Sequence, residues 1–294
     1  MTGTTLGVVV TNYDSGDLTA RCLEGVLSHR EGIDRVLVVD DASPAGPPPA
    51  PDPAVEVRVN AENLGLVRSL NLGIRAVDTD LVVLFDCDAR PLVPFASRVR
   101  ERFAADPRLA ILGFATVDEG GLPAGSHEEE PGVSSLLLGQ RLHALFGRFR
   151  RRRGNLCVYT CAMALRRSAF DSLGGFDEAF DWLDLDHDLC MAARRAGWGV
   201  AHEPRLVAFH QGAGSPQEVG HRVLRFYKNR WRLLRKFGKV DYPGLVRALI
   251  LGRLGVERLA LRLAGPLLVR DPEALRDKLA GRRRLVEHVR REFR

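Results

Sequence analysis

Two carboxylates stand one residue apart where an apolar segment ends. The segment is Leu81–Phe85, and the carboxylates belong to Asp86 and Asp88. Five consecutive apolar residues, two of them Val, predict a buried strand. Because alternate side chains of a strand share a face, both acids are expected on the same side. A divalent cation between them would relieve their repulsion and could also hold a diphosphate.

The elements that must position these acids come from the first third of the chain. Asp is also common where a strand runs into a solvated turn, so the pair has little specificity by itself. Apolar strands are predicted at 6–11, 35–39 and 55–59, and helices at 18–29 and 64–77. Non-alternating apolar strands divided by amphipathic helices indicate an α/β fold with a mostly parallel sheet covered on both faces. Functional groups gather at the carboxyl ends of such strands, where Thr11, Asp41 and Asp86 all lie.

A second polar group follows the paired glycines Gly174 and Gly175, which predict a turn. A helix is predicted from about residue 184 to 196, with acids at 184, 186 and 188 near its start, where the helix dipole favours anions. On such a helix His187 should point away from Asp186, which favours a structural role for it. Residues 118–133 are predicted to form a surface loop. The basic run 148–153 is either a solvated helix end or a patch that faces phosphate or lipid.

Composition and length set the broad class of the protein. The 294 residues allow one large α/β domain with an appendage, or two modest domains. A hydrophobic fraction of 45% and a charged fraction of 27% are typical of a soluble globular protein. The five cysteines are odd in number and lack framework spacing, which favours reduced thiols and disfavours zinc. With no secretory signal predicted at the start, we expect a cytoplasmic protein, with peripheral placement on the inner face of the membrane left open.

Charge is distributed unevenly along the chain. Residues 216–294 hold 21 Lys and Arg against 8 Asp and Glu, whereas residues 1–215 hold 22 against 29. We therefore predict a catalytic part at 1–215 and a basic helical region at 216–294. Leu245, Leu249, Val256, Leu259 and Leu263 would share one face of a helix in that region. The region either packs its helices on the catalytic part or contacts a membrane surface; nucleic acid is disfavoured, because the acidic part would repel it.

Six segments follow one another between residues 8 and 210: Val8–Asp14, Val38–Ser43, Asn63–Ile74, Asp86–Asp88, Gly174–Glu178 with Asp186–Cys190, and Val207–His210. In this order they resemble the family 2 glycosyltransferases of the GT-A fold, in particular bacterial rhamnosyltransferase-like members. The likeness extends over about residues 6–240. It implies a nucleotide-binding half at 1–115 and an acceptor-binding half at 155–215. One departure is Leu185, where the family usually has Glu before the conserved Asp.

The resemblance also implies a role for individual residues on the donor side. It places Thr11, Tyr13 and Asp41 around the base and ribose of a nucleotide, and makes Arg68 a candidate for the nucleotide or diphosphate. Asp88 and His210 become the direct ligands of Mn²⁺ or Mg²⁺, and Asp86 contacts the ribose or completes the metal shell.

On the acceptor side the resemblance makes Asp186 the general base that deprotonates the acceptor hydroxyl. Trp182 and Gly175 become acceptor contacts, although Trp182 could equally lie in the core.

The expected function is metal-dependent, inverting transfer of a hexosyl or deoxyhexosyl group from a nucleotide-diphosphate sugar. The expected acceptor is a hydroxyl of a saccharide or lipid-linked molecule in cell-envelope polysaccharide or glycoconjugate synthesis. A sugar nucleotidyltransferase shares the sheet architecture, but residues 11–17 lack the glycine-rich basic loop that it would need. A non-catalytic nucleotide-sugar-binding protein is the other alternative, and the presence of Asp86, Asp88, Asp186 and His210 argues against it.

Overall fold

The computed structural model describes residues 3–139, 154–211, 219–269 and 271–293. The chain divides into two compact units. The first comprises residues 1–130 with 154–214, and the second comprises residues 131–153 with 215–294. The basic run at 148–153 lies outside the described residues.

The first unit is built on an eight-stranded sheet with the order β3-β2-β1-β4-β9-β6-β10-β5. Strands β1, β2, β3 and β4 pair in parallel, as do β6 and β10, whereas β9 runs antiparallel between β4 and β6. The predicted α/β fold with a mostly parallel sheet is therefore confirmed. The strands are β1 Leu6–Asn12, β2 Arg35–Asp40, β3 Val55–Val59, β4 Leu81–Asp86, β5 Ala89–Pro91, β6 Leu109–Val117, β7 His127–Glu129, β8 Leu156–Val158, β9 Ala162–Arg166 and β10 Gly199–His210.

The central strands are apolar on both faces because helices cover both sides of the sheet. All seven residues of β1 are buried, and so are the first five of β4. Phe85, Phe95 and Phe114 meet edge-on or tilted in the core, with ring centroids about 6 Å apart. This packing fixes the end of β4, and with it the position of Asp86.

The helices of the first unit are α1 Gly16–Ser28, α2 Leu66–Val77, α3 Ala96–Ala105, α4 Arg167–Ser172 and α5 Leu185–Arg195. Helix α2 begins two residues later than the sequence pattern predicted. The reason is Asp41, whose carboxylate accepts hydrogen bonds from the backbone N–H groups of Leu64 and Gly65. Gly65 has φ +85°, which places it outside the helix.

Helix α2 lies unusually close to the sheet at Gly73. A Cβ atom at this position would stand 2.7 Å from Val9 Cγ1 and 2.9 Å from Val39 Cγ2. Only glycine therefore allows α2 to pack directly over β1 and β2. This close approach holds the start of α2 beside the carboxyl ends of both strands.

The segment 118–133 is not wholly a loop, so that prediction was partly wrong. Residues 127–129 form β7, which pairs antiparallel with β8 and brings Glu128 opposite Cys157. All three residues of β7 are polar and only half-buried, so the sequence has no apolar alternation there that would predict a strand.

The second unit is helical in its described part: α6 Val219–Lys236, α7 Pro243–Leu263, α8 Gly265–Leu268 and α9 Pro272–Glu292. Helix α9 packs against α6 and α7. Trp231 stacks on Phe293 with 4.1 Å between ring centroids, and Ile250, Leu254 and Val289 are buried. Of the helices described, none is long and apolar enough to cross a membrane.

Candidate functional site

The carboxyl ends of β4 and β10 bring Asp86, Asp88 and His210 together. Each residue offers a ligand atom, and these atoms all lie within 4.8 Å of one another. His210 Nε2 is 3.4 Å from Asp88 Oδ1. The antiparallel pairing of β10 with β5, in which His210 lies opposite Ala89, produces this meeting across 122 residues of sequence. Two carboxylates and one imidazole form a donor set that suits Mn²⁺ or Mg²⁺.

The cluster carries unbalanced negative charge. Burial and the charge of Asp88 raise the pKa of Asp86 to about 6; His210 opposes this rise and Asp186 adds to it. The hydrogen bond to Asp88 raises the pKa of His210 above its usual value. Among the described residues the Asp86 carboxylate has no hydrogen-bond partner. The shift of Asp86 reflects burial and the repulsion between the two acids, whereas the shift of His210 shows that the acids favour a positive charge nearby.

The donor-side residues of the sequence analysis lie near this cluster to differing degrees. Thr11 is paired with Asp86 in the register of β1 and β4, and it is buried. Tyr13 follows β1 and is 49% exposed, so its ring is available to a ligand. These two positions are compatible with the nucleotide contacts that the sequence predicted.

Asp41 and Arg68 already have protein partners. Besides Leu64 and Gly65, the Asp41 carboxylate accepts a hydrogen bond from Asn60 Nδ2 at 2.9 Å. Arg68 Nε donates to Glu178 at 3.0 Å, in a half-exposed ion pair. Asp41 thus organises the loop before α2, and Arg68 would have to leave Glu178 to meet a phosphate.

Gly175 has a structural reason to be glycine, in a turn that α2 anchors. Its φ is +90°, and a Cβ atom would stand 2.8 Å from Asn71 Oδ1. Asn71 also exchanges two hydrogen bonds of 2.9 Å with the backbone of Phe176. Trp182 is half-buried, and its role as an acceptor contact stays a prediction.

Asp186 lies in the first turn of α5. Asp184 precedes the helix with φ 67°, a left-handed conformation that Asp tolerates better than most residues. Asp186 contributes to the raised pKa of Asp86, so its charge acts on the metal cluster. The candidate base therefore lies within electrostatic reach of Asp86.

The prediction that His187 points away from Asp186 was wrong. His187 Nδ1 lies 2.9 Å from Asp186 Oδ1, and the backbone N–H of His187 donates to the same oxygen at 2.8 Å. On the other side of the ring, Nε2 lies 2.6 Å from Glu128 Oε1. The local turn at the helix start folds the ring back onto its neighbour, which ideal helical spacing does not predict.

Sequence reasoning missed Glu128 as a residue of the site. Glu128 lies in strand β7. Glu130, which follows the strand directly, pairs with Arg194 at the far end of α5. The polar stretch around Glu128 carries no motif, so no sequence signal could have singled it out.

A cleft of about 370 Å³ adjoins Asp88 in the first unit. Its walls include the cations Arg21 and Arg90, and Arg90 stacks over the ring of Phe209 at 4.2 Å. Asp88, Asp118 and Glu119 line it as well, so the cleft offers space and charged groups of both signs next to the acidic cluster.

A family model described as "Glycosyl transferase family 2" matches residues 7–174. No curated protein matches the chain. Among solved structures, the mannosyltransferase PcManGT from Pyrobaculum calidifontis, in complex with GDP-Man and Mn²⁺, superimposes with a TM-score of 0.60 at 18% identity. That superposition covers 97% of this chain and 85% of the other.

GalNAc-T7, solved with UDP, GalNAc and Mn²⁺, gives a TM-score of 0.53 at 16% identity and covers 77% of this chain. This chain spans about half, 48%, of the length of GalNAc-T7. At such identities the likeness concerns the fold, and it confirms the predicted GT-A architecture.

Proposed function

The chain belongs to glycosyl transferase family 2, and from this premise we propose that it moves a sugar from a nucleotide-diphosphate donor to an acceptor hydroxyl with inversion. The observation that carries the proposal is the meeting of Asp86, Asp88 and His210 at one edge of the sheet, within electrostatic reach of Asp186. The two solved structures of this fold contain Mn²⁺ with a nucleotide or nucleotide sugar, which supports the same chemistry here.

Asp88 and His210 would hold the cation, with Asp86 completing its shell or contacting the ribose. When bound, a divalent cation offsets the negative charge that develops on the leaving diphosphate. Thr11 and Tyr13 border the nucleotide, Asp41 shapes the loop beside it, and Arg68 reaches the diphosphate after release from Glu178. Mn²⁺ is favoured over Mg²⁺ because an imidazole is among the ligands.

Asp186 acts as the general base of the transfer. Its carboxylate removes the proton of the acceptor hydroxyl while that oxygen attacks the anomeric carbon. The bond from the anomeric carbon to the diphosphate breaks, and its electron pair goes to the leaving phosphate oxygen. Attack from the side opposite the leaving group inverts the configuration. Trp182 and the turn at Gly175 border the acceptor.

The donor is tested by thermal shift with a panel of nucleoside diphosphates and nucleotide sugars, each with and without Mn²⁺. We expect one nucleotide to raise the melting temperature only when Mn²⁺ is present, and its sugar derivative to support transfer. Equal stabilisation with and without divalent cation would contradict the Asp88 and His210 assignment. Stabilisation without turnover on any acceptor would favour the non-catalytic alternative.

The second unit is proposed to bind an anionic membrane surface, where a lipid-linked acceptor would be met in cell-envelope synthesis. Helix α7 exposes an unbroken apolar face about 30 Å long, the rise of its 21 residues. Its large side chains are at least half exposed: Tyr242, Leu245, Leu249, Val256, Leu259 and Leu263. The other fully exposed residues from 243 to 261 are glycine and alanine, whereas Arg247, Arg253, Glu257 and Arg258 are half-buried and Arg262 is exposed.

Charge complementarity identifies the occupant of this face. Exposed cations on α6 and α9, such as Arg235, Lys236, Arg283 and Arg284, accompany the apolar face in the same unit. A basic, amphipathic helical unit is attracted to anionic lipid headgroups and buries its apolar face among the acyl chains. A second copy of this basic unit would instead be repelled by like charge.

Co-sedimentation with vesicles tests this surface. We expect binding to vesicles containing phosphatidylglycerol, little binding to pure phosphatidylcholine, and loss of binding in the double variant Leu249→Asp with Val256→Asp. Leu72→Asp, at an exposed leucine of α2, is the matched control and should bind like the wild type. A dimer in light scattering that the same double variant dissolves, without vesicle binding, would assign the face to self-association.

A further inference from the structure

His187 is buried among three carboxylates, two of them at the start of α5 and the third in β7. Its Nδ1 lies 2.9 Å from Asp186 Oδ1 and 3.3 Å from Asp184 Oδ1, and its Nε2 lies 2.6 Å from Glu128 Oε1. An ionised carboxylate can only accept hydrogen bonds, so both ring nitrogens must donate. With these carboxylates ionised, the ring is an imidazolium that joins α5 to β7.

This contact determines which oxygen of Asp186 is available. Oδ1 accepts from the backbone N–H of His187 at 2.8 Å and from its ring. Oδ2 has no hydrogen-bond partner among the described residues. With Oδ1 occupied by two donors, the side chain cannot rotate without losing both bonds, and Oδ2 remains as the oxygen that can take a proton.

Glu128 in turn fixes the ring of His187. The short strand β7 holds Glu128 opposite Cys157 of β8, and Arg194 of α5 donates to Glu130 at 3.0 Å and to the backbone of Leu156. The strand pair is thus attached to α5 at two points, at His187 and at Arg194. The position of Glu128 relative to Asp186 is defined by packing and not by a flexible loop.

We propose that His187, oriented by Glu128, is a positioning residue that holds Asp186 Oδ1 and presents Oδ2 to the acceptor hydroxyl. This inference rests on the proposed function, in which Asp186 is the base. It assigns a role in transfer to two residues outside the metal cluster, one of them from a segment without any motif. His187 itself exchanges no proton with the substrate.

Two substitutions separate the nitrogens of the ring. In His187→Asn the amide nitrogen takes the place of Nδ1 and can still donate to Asp186. In His187→Gln the amide nitrogen takes the place of Nε2, so the contact with Glu128 is kept and the one with Asp186 is lost. We expect His187→Gln to lower kcat about 100-fold, the cost of a misplaced catalytic group, with KM for the donor near the wild-type value.

His187→Asn should restore most of kcat, and Glu128→Gln should give an intermediate loss. Glu129→Gln is the matched control, because it removes the same charge from the neighbouring residue of β7, whose side chain lies on the opposite face of the strand. Similar kcat values in His187→Gln and His187→Asn, whether both normal or both low, would overturn the proposal. So would a fall in donor affinity equal to the fall in kcat.

A second readout does not depend on turnover. In a ¹⁵N-histidine NMR spectrum, His187 should show both ring nitrogens protonated and hydrogen-bonded, and Asp186→Asn should alter the Nδ1 signal alone. A neutral His187 ring would overturn the inference even in an active enzyme. If the wild type transfers no sugar while the spectrum shows the protonated ring, the proposed function fails and the contact remains.

Discussion

Two clusters of the first unit each combine a histidine with carboxylates, but they differ in how completely these groups are hydrogen-bonded. The metal cluster comprises Asp86, Asp88 and His210, and the base cluster comprises Glu128, Asp184, Asp186 and His187. In the metal cluster, one imidazole meets two carboxylates through a single contact of 3.4 Å, and Asp86 has no hydrogen-bond partner among the described residues. In the base cluster, both nitrogens of His187 meet carboxylates, at 2.6 and 2.9 Å. The first cluster has charge left for a cation to neutralise. The second already contains its cation, the imidazolium.

The pKa values support this distinction. Burial lowers the pKa of His187, but the charge of Asp186 and the hydrogen bonds to Asp186 and Glu128 outweigh it and raise the pKa well above its usual value. In the metal cluster the main effect falls on an acid instead, because burial and Asp88 raise the pKa of Asp86. The repulsion between carboxylates thus raises the pKa of an acid in the metal cluster, whereas in the base cluster the carboxylates raise the pKa of the histidine that lies among them.

The largest effect is expected from Asp186→Asn. The amide cannot take the acceptor proton, so turnover should fall about 1,000-fold, within the usual range for general-base catalysis. Mn²⁺-dependent nucleotide binding, measured by calorimetry, should stay close to that of the wild type because the metal cluster is intact. Unchanged turnover would contradict the base assignment, and lost nucleotide binding would show that the two clusters are not separable.

Asp88→Asn should have the opposite pattern. Nucleotide affinity in Mn²⁺ should fall about 100-fold, since even groups that only support a metal ligand contribute 10- to 100-fold. Asp17→Asn, which removes the same charge from an exposed position of α1, serves as the control. An equal loss of affinity in both variants would mean that general electrostatics, and not ligation, holds the nucleotide.

Acid should weaken Mn²⁺ binding by competition. Asp86 has a pKa of about 6, so it becomes protonated as the pH falls below that value, and His210 also becomes protonated more readily than usual. Nucleotide affinity in Mn²⁺ should therefore decrease about tenfold per pH unit below about pH 6 for each proton that must leave. A titration at several pH values checks this, and a pH-independent affinity would contradict the ligand set.

The sign for stability is the same for both groups. A raised folded-state pKa means that the native protein binds a proton more tightly than the unfolded chain, so this stability is present at low pH and is lost as the pH rises. Without Mn²⁺, the contribution of Asp86 should disappear as the pH rises from about 4 to about 6, followed by that of His210. Mn²⁺ should therefore raise the melting temperature more at pH 8 than at pH 5.

The two clusters also differ in how far sequence could predict them. Asp86 and Asp88 were predictable because an apolar strand fixes the face on which alternate residues lie. His210 could be placed beside them only through the order of motifs, since the antiparallel pairing of β10 and β5 has no local signal. Helix α2 was predicted from its periodicity, but its first residue depends on hydrogen bonds to Asp41, 23 residues earlier in the chain.

The base cluster was only half predictable. Asp186 belongs to a motif, whereas the direction of the His187 ring depends on the left-handed backbone at Asp184 and on Glu128, which lies 59 residues away. Spacing on an ideal helix gave the wrong direction for this ring. Contacts of this kind arise from tertiary packing and turn geometry, and the pattern of a single segment does not contain them.

The smallest effect on catalysis is expected from Asn71→Ala, which tests whether the base cluster depends on the turn that precedes α5. Asn71 is buried, and its side chain bonds the N–H and C=O groups of Phe176 beside Gly175. The loss leaves two buried backbone groups without partners, which should lower the free energy of unfolding by about 1–3 kcal/mol for each group that stays dry. Leu72→Ala, at an exposed neighbour on α2, should change it by less than about 0.5 kcal/mol.

Turnover of the folded Asn71→Ala protein should fall only slightly, because His187 and Glu128 still hold Asp186. A loss of turnover as large as that of His187→Gln would show that the turn, and not the imidazolium, sets the position of the base.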